Sequence, residues 1–158
     1  RGIMANLLSN ANFETWTNGA DNYPDNWEAT SWAPSTVARS ATAYDGSYSM
    51  SITDTGTVFF AGQLVSNMVT GADYTASVYL KSSITPLLSI RKGSDKQTAI
   101  ANAEGSNANT WGQVAVNFAV PAGETSVYFT VGSEGSGTVL VDLASLDTFP
   151  HPAEEEGG

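Results

Sequence analysis

The sequence predicts an all-β protein, an antiparallel β-sandwich, and three observations carry this prediction. Residues favoured in strands (Val, Ile, Thr, Tyr, Phe and Trp) recur in short runs in which apolar and polar residues alternate. Gly, Asn, Asp, Ser and Pro separate these runs. Only 14% of the 158 residues are charged, which is low for a helical bundle or a disordered chain. We expect about eight to ten strands in two layers.

The alternation places the strands in order along the chain and assigns each a buried and a wet face. In the segment 47–52, for example, Tyr48, Met50 and Ile52 alternate with serines. Tyr74 lies on the apolar phase of the segment 74–81, so both tyrosines are predicted to be buried. The stretch 96–103 is predicted to be a loop or a single helical turn. Turns rich in Gly and Asn favour Greek-key crossovers over a simple meander. The predicted strands are 47–52, 58–65, 74–81, 87–91, 113–120, 126–131 and 138–146.

The length fits one domain, with the strand pattern confined to residues 6–149. Residues 1–5 are predicted to be a tail or an added remnant before a natural start at Met4, and residues 150–158 an acidic, mobile tail. No signal peptide and no apolar run long enough to span a membrane is seen in the sequence. The polar, aromatic-studded loop 15–26 is predicted either to be functional or to cover one end of the sandwich.

Charge and composition exclude several classes of function. Six Lys and Arg against sixteen Asp and Glu give a formal net charge of −10, which argues against partners such as nucleic acid or anionic membrane. The chain has no Cys and a single His, His151, so disulfides, thiol catalysis, multi-histidine zinc sites and a Ser-His-Asp triad are excluded or nearly so. No acid lies in a recognisable catalytic motif, and we expect the protein not to be an enzyme.

Six segments, in this order, resemble carbohydrate-binding modules of families four, nine and twenty-two. These modules share a galactose-binding-like β-sandwich jelly roll. The resemblance therefore implies a jelly roll that binds a polysaccharide without cutting it. Leu143 stands where the family has a second Asp. The segments are 6–14 (NLLSNANFE), 24–27 (PDNW), 44–50 (YDGSYSM), 71–77 (GADYTAS), 111–118 (WGQVAVNF) and 141–146 (VDLASL).

The same resemblance implies a structural Ca²⁺ held away from the ligand face. The positions that match are Glu14, Asp45 within the turn 44–47, and Asp142. Hard cations take several oxygen ligands, and Lys and Arg partners are scarce in this chain. The alternative is that these acids are exposed, or that they accept hydrogen bonds from backbone N–H groups.

A ligand-binding cleft is predicted from residues on the polar phase of amphipathic strands. Sugar rings pack their C–H groups on flat aromatic faces, while planar polar side chains bond the hydroxyls. The alternative is that these aromatic residues pack under the loop 15–26, to which Trp16 and Tyr23 belong. Trp27 and Trp111 are predicted to lie in the core or at the ends of the sandwich. The predicted cleft residues are Trp32, Phe60, Gln63, Tyr79, Arg91 and Tyr128.

Two hypotheses of function follow. In the first, the chain is a polysaccharide-binding domain of a secreted protein and acts outside the cell. In the second, it is a stand-alone surface protein of a virion, such as a phage head-decoration or tail-associated jelly roll, that docks on a capsid or tail lattice or acts by adhesion. Virion proteins need neither an export signal nor Cys. An open cleft formed by the polar-phase aromatics would favour the first hypothesis, and burial of these rings against another subunit would favour the second.

Overall fold

The computed structural model describes residues 6–30, 36–55 and 58–148, and within them all regular structure is β. Two antiparallel sheets of five strands pack face to face, which confirms the predicted sandwich. The strands are β1 (Glu28–Ala29), β2 (Thr36–Ser40), β3 (Ser49–Thr55), β4 (Phe59–Val65), β5 (Asp73–Ser82), β6 (Pro86–Lys92), β7 (Ala99–Glu104), β8 (Gly112–Ala119), β9 (Val127–Ser133) and β10 (Ser136–Thr148).

The strand order shows crossovers between the two sheets. Sheet A has the order β1-β4-β9-β6-β7, and sheet B has the order β2-β3-β10-β5-β8. Consecutive strands therefore often lie in opposite sheets, as β4 and β5 do and as β9 and β10 do. This agrees with the crossovers that the turn composition favoured. No helix within the described ranges is long and apolar enough to cross a membrane.

The prediction for residues 96–103 is wrong in its second half. A turn lies at residues 93–96, but Ala99–Glu104 forms β7, which pairs with β6 at the edge of sheet A. Single apolar residues among Ala and Asn give little alternation, because an edge strand buries little surface. Tertiary pairing, rather than local pattern, makes this segment a strand.

The core lies between the inner faces of the sheets, where the alternation predicted it. Phe13, Phe129, Leu88, Ile90 and Met50 are among its fully buried side chains. Burying a side chain of this size contributes about 2 kcal/mol to folding. Of the two tyrosines predicted to be buried, Tyr74 is buried, which confirms that prediction, whereas Tyr48 is only half-buried.

Trp27 and the loop 15–26 close one end of the sandwich. The Trp27 ring packs against Phe13 with a centroid distance of 4.8 Å and against Phe129 at 5.9 Å. Trp16 is buried and its Nε1 donates to the Phe13 carbonyl at 2.6 Å. The loop therefore covers the end of the core, which is one of the two roles predicted for it, and Trp16 fastens it there.

The N-terminal segment runs along the second half of β10. The Leu7 N–H donates to the Leu146 carbonyl at 2.8 Å, and the Ala144 N–H donates to the Ala11 carbonyl at 2.9 Å. The register of β10 against β5 shifts between Asp142 and Ser145, and Leu143 there has a φ of 43°. This bulge leaves Asp142 on the outer face of sheet B while the strand continues its pairing.

Candidate functional site

Three of the six predicted cleft residues, Phe60, Arg91 and Tyr128, lie on the outer face of sheet A, the face turned away from the core. Alternate residues of each strand point to this face. The cross-strand register aligns them in rows that run across the sheet. One row crosses all five strands and is polar apart from its glycine. It consists of Glu28, Gly62, Thr130, Ser89 and Asn102.

Arg91 lies across this face instead of pointing into solvent. Its Nε donates to Ser89 Oγ at 3.0 Å, and its guanidinium carbon lies 4.5 Å from the centre of the Phe60 ring. Burial lowers the pKa of the Arg91 guanidinium, and the negative charge of Glu134 opposes that shift. An arginine at neutral pH stays charged all the same. The result is a flat, charged group fixed over an aromatic ring.

The two aromatic rings predicted for this face are present on it but covered. Phe60 is 0% exposed, beneath Arg91, and Tyr128 is 7% exposed. The Lys96 ammonium lies 5.4 Å from the centre of the Tyr128 ring. A ligand that approaches this face therefore meets the cations that lie over these rings before it meets the rings themselves.

Two glycines within strands, Gly62 and Gly132, leave the middle of this face without projecting side chains. A Cβ on Gly62 would lie 2.5 Å from the Phe129 carbonyl oxygen and 2.8 Å from Thr130 Cγ2. A Cβ on Gly132 would lie 2.0 Å from the Phe59 carbonyl oxygen and 2.9 Å from Phe60 Cα. Glycine inside a strand often marks a place where another group approaches closely. Here Gly62 and Gly132 form a floor between the side chains of neighbouring rows.

At one end of this floor lies a cavity of about 260 Å³. Two carboxylates, Glu104 and Glu134, line it together with Leu87, Thr85 and Gly135. Register pairs Glu104 with Leu87, so this wall is the end of the row that continues through Gly132 to Phe60. We call the surface from Arg91 to this cavity the sheet A groove. Neither acid was predicted as a site residue, and only a correct assignment of β7 would have placed Glu104 beside Leu87.

Gln63 and Trp32 do not add to this groove. Gln63 belongs to β4 but lies on the inner phase, at an end of the sandwich. Its Nε2 donates to the Ser9 carbonyl at 2.9 Å, and its Oε1 accepts from the Ser9 N–H at 2.7 Å. The pair fastens the N-terminal segment to sheet A. Trp32 lies outside the described residues.

The prediction that Tyr79 shares one cleft with the other residues is wrong. Tyr79 lies on β5 in sheet B, so it faces solvent on the opposite side of the sandwich. Its ring stacks on Tyr44, with centroids 3.9 Å apart and planes 13° apart. Trp111 meets the Tyr44 ring at 6.0 Å and 60°. Alternation identifies a residue that faces away from the core, but it does not say which of the two outer faces the residue occupies.

Two of the three predicted metal ligands, Glu14 and Asp142, contact the turn that contains Tyr44 and the third, Asp45. Asp142 is 0% exposed, and its Oδ2 accepts from the N–H groups of Tyr44 at 2.9 Å and Asp45 at 3.1 Å. The Glu14 carboxylate accepts from the Ser47 N–H at 3.1 Å and the Tyr48 N–H at 3.0 Å. In this structure Glu14 and Asp142 thus accept hydrogen bonds from backbone N–H groups, the arrangement considered as the alternative to a metal.

The environment of Asp142 opposes its negative charge. Burial is the largest effect on its pKa and raises it, and the charge of Glu14 raises it further. The hydrogen bonds from Asp45, Leu143 and Tyr44 lower the pKa but do not cancel the effect of burial. Within residues 6–30, 36–55 and 58–148, no three Asp, Glu, His or Cys side chains form a metal-binding group.

Comparisons with known proteins agree with this architecture. The model of the carbohydrate binding domain family (families 4 and 9) matches residues 5–138. The chain is similar in structure to the C-terminal family 22 carbohydrate binding module of Clostridium thermocellum Xyn10B, with a TM-score of 0.65 and 22% identity. That match covers 87% of this chain and 98% of the module. No curated protein sequence matches the chain.

Two further solved structures show the same fold in different settings. The CBM22-1 xylan-binding domain of Paenibacillus barcinonensis Xyn10C matches with a TM-score of 0.61 and 19% identity, over 92% of this chain and 95% of the domain. The enzymatically active domain of tailspike protein 4 from bacteriophage CBA120 matches with a TM-score of 0.66 and 19% identity. This second match covers 91% of this chain but only 21% of the tailspike domain. Since the family model spans most of the sandwich, the chain belongs to the carbohydrate binding domain family.

Proposed function

We propose that this domain binds a neutral polysaccharide in the sheet A groove and acts by binding alone, as part of a secreted protein. The observation that carries the proposal is the placement of Arg91. Its guanidinium is fixed over Phe60 by Ser89, and the groove ends at two carboxylates. Two of the similar structures are xylan-binding domains by name, which makes xylan the first ligand to test.

The chemistry of the groove suits sugar hydroxyls. The guanidinium offers several N–H donors in one plane, and the Glu104 and Glu134 carboxylates accept hydrogen bonds. Because Arg91 is half-buried and held in place, little side-chain freedom is lost when a ligand binds. The net charge of −10 disfavours glycans that carry sulfate or carboxylate groups. With few buried contacts, we expect dissociation constants on the order of micromolar to millimolar.

The direct test is calorimetric titration of the domain with xylan, mixed-linkage β-glucan and mannan. We expect at least one of them to bind, and Arg91→Ala to weaken its binding by about tenfold or more. Arg91→Lys keeps the charge but loses the planar set of donors, so it should recover only part of the affinity. Arg39→Ala is the matched control, because Arg39 also covers a ring, Tyr48, at 4.2 Å, but on a different surface.

Two results would overturn the proposal. One is that Arg91→Ala binds the polysaccharide as tightly as the unchanged protein. The other is that none of the three polysaccharides binds while native mass spectrometry finds a defined oligomer. The second result would favour the hypothesis of a virion surface protein that docks on a capsid or tail lattice.

We also propose that a structural Ca²⁺ can bind between Glu14, the turn that contains Asp45, and Asp142. Two carboxylates approach one turn there, and the buried Asp142 has its charge opposed by both burial and Glu14. A cation would relieve that opposition. The residues fit in part, since Ca²⁺ needs six to eight oxygens and the turn's carbonyl groups or water would have to supply those beyond the carboxylates.

A further inference from the structure

We propose that the outer face of sheet B carries a second saccharide-binding surface, formed by Tyr44, Tyr79 and Trp111. We call these three residues the tyrosine platform. The proposal rests on the carbohydrate binding of the family and not on the sheet A groove. The platform lies on the opposite sheet, so a ligand bound there would not touch Arg91.

The platform offers what the groove lacks, an aromatic face open to solvent. The Tyr44 side chain is 46% exposed. Its ring stacks on Tyr79 with centroids 3.9 Å apart, and the Trp111 ring lies 6.0 Å away at 60°. Since nearly half of the Tyr44 side chain stays exposed beside these two contacts, part of its ring is open to a ligand. A pyranose ring, with C–H groups on one side and hydroxyls around its rim, matches such a flat apolar surface.

Backbone contacts hold both tyrosines of the platform in place, although Tyr44 lies on a turn. The Tyr44 N–H is held by Asp142 at 2.9 Å, and the Ser47 and Tyr48 N–H groups are held by Glu14. Tyr79 lies on the central part of β5, paired with Asp142 of β10 on one side and Gln113 of β8 on the other. Both tyrosines are therefore positioned before a ligand arrives, which reduces the entropic cost of binding.

Polar groups surround the platform and favour a sugar over an apolar partner. The Tyr44 and Tyr79 rings stack within 13° of parallel, and each carries a phenol hydroxyl that can bond a saccharide. Gln113 is exposed beside Tyr79, and the half-buried Lys81 is the next residue of β5 on the same face. Amide, ammonium and phenol groups at the rim of a flat ring suit the hydroxyls of a saccharide.

A second copy of the chain is a poorer fit for this surface. A stable protein interface buries about 800 Å² on each partner, whereas one aromatic side chain buries about 150–250 Å² when it is wholly covered. Tyr79 and Trp111 are already half-buried, so the platform offers much less. The net charge of −10 also opposes association between copies.

The test uses the indole N–H resonance of Trp111 in the intact domain labelled with ¹⁵N, assigned by comparison with Trp111→Phe. The probes are xylohexaose, cellohexaose and mannohexaose, titrated one at a time. We expect at least one to shift the Trp111 resonance in a saturable way. Tyr44→Ala should weaken that response by about tenfold, and Tyr44→Phe, which keeps the ring, should preserve it. Arg91→Ala should leave it unchanged.

The outcomes separate the platform from the groove. If the hexasaccharides bind in the calorimeter but none shifts the Trp111 resonance, the platform proposal is wrong and the groove stands. If Tyr44→Ala leaves the shift unaltered, the platform does not carry the contact. A shift that depends on protein concentration without sugar would show self-association and would also overturn the proposal. A saturable shift in Arg91→Ala supports the platform even if groove binding is lost, and loss of the shift in that variant contradicts it.

Discussion

The outer faces of the two sheets expose similar kinds of side chain and use them in opposite ways. On sheet A the aromatic rings lie beneath cations, and carboxylates stand at the end of the groove. On sheet B the aromatic rings lie uppermost, and the turn that carries Tyr44 is held by the buried Asp142 and the half-buried Glu14. Part of the difference arises outside the strands, because Lys96 and Tyr44 both come from connecting segments, whereas Arg91 lies within β6. Strand alternation makes two wet faces, and the connections decide what a ligand meets on each.

The charges of the two faces follow the same division. Arg91 and Lys96 are two of only six Lys and Arg residues in the chain, and both lie over rings of sheet A. On sheet B, Asp142 and Glu14 hold backbone N–H groups of one turn. A polar groove can select a sugar by its hydroxyls, whereas an aromatic platform selects mainly by ring shape.

The largest expected effect tests how strictly the backbone determines the floor of the sheet A groove. Gly132→Ala places a Cβ within 2.0 Å of a main-chain oxygen, so we expect a loss of about 3 kcal/mol in the free energy of unfolding. Urea denaturation measures it. Gly112→Ala is the control, because it adds a Cβ in a strand of sheet B with nothing within 4 Å. Equal stability of the two variants would refute a tightly packed floor.

A second test asks whether Ca²⁺ raises the stability of the domain through the acids beside sheet B without changing the groove on sheet A. Calcium at about 100 times its dissociation constant should stabilise the domain by about 2.7 kcal/mol, because it binds the folded state. For a domain of this size that corresponds to a rise of about 8 °C in melting temperature. Chelation should reverse the rise.

The variant Asp142→Asn should abolish this calcium response, and Asp95→Asn, an acid on a distant turn, should retain it. The groove affinity for xylan should not change with calcium, since Asp142 lies on sheet B and Glu14 contacts the turn beside it. If neither calcium nor a chelator changes the melting temperature, Glu14 and Asp142 are not metal ligands.

The smallest expected effect concerns pH and contrasts one acid of each face. Hydrogen bonds from the Thr98 hydroxyl, and then from the Thr98 and Gln97 N–H groups, lower the pKa of Asp95 to about 2. Because this is below its ordinary value of 3.8, the stability that Asp95 contributes is present above about pH 4 and is lost as pH falls toward 2. Asp142 has the opposite sign, since burial raises its pKa, and its contribution is lost as pH rises through the folded value.

Carbon-13 NMR titration of the two carboxyl groups measures both shifts. We expect Asp95 to titrate well below Asp142, and the reverse order would contradict the burial of Asp142. Since Asp95 is exposed, Asp95→Asn should change stability little, but it should loosen the turn that holds Lys96 over Tyr128. A rise in the solvent exposure of Tyr128 would show this.

Much of the fold follows from local pattern, because burial forces alternation. Met50, Val78 and Phe129 each share the apolar phase of a strand, and each lies in the core. Arg91 and Tyr128 were correctly predicted to face away from the core. That Arg91 covers Phe60 was not predictable, since it depends on how β4, β9 and β6 lie side by side. Non-local pairing leaves no signal within a single strand.

The failures have the same origin. Tyr79 and Tyr128 look alike in sequence, each on the polar phase of an amphipathic strand, yet they lie on opposite sheets. Gln63 was predicted as a ligand contact from its neighbour Phe60, but three positions along a strand reverses the face. Glu134 lies in a turn, where an acid carries no pattern at all, and only the turn's position beside Leu87 places it at the groove.

The connection between β9 and β10 has a consequence for how such a domain can be altered. Only Glu134 and Gly135 join the last groove strand to the strand on which Asp142 lies. Extra residues inserted there would displace the Glu134 carboxylate from the groove and would loosen the connection between the two sheets. The turn at 93–98 joins two neighbouring strands within one layer and can lengthen without that penalty. In related domains whose sugar preference changes through longer loops, we therefore expect the turn at 93–98 to vary in length and the connection between β9 and β10 to keep its length.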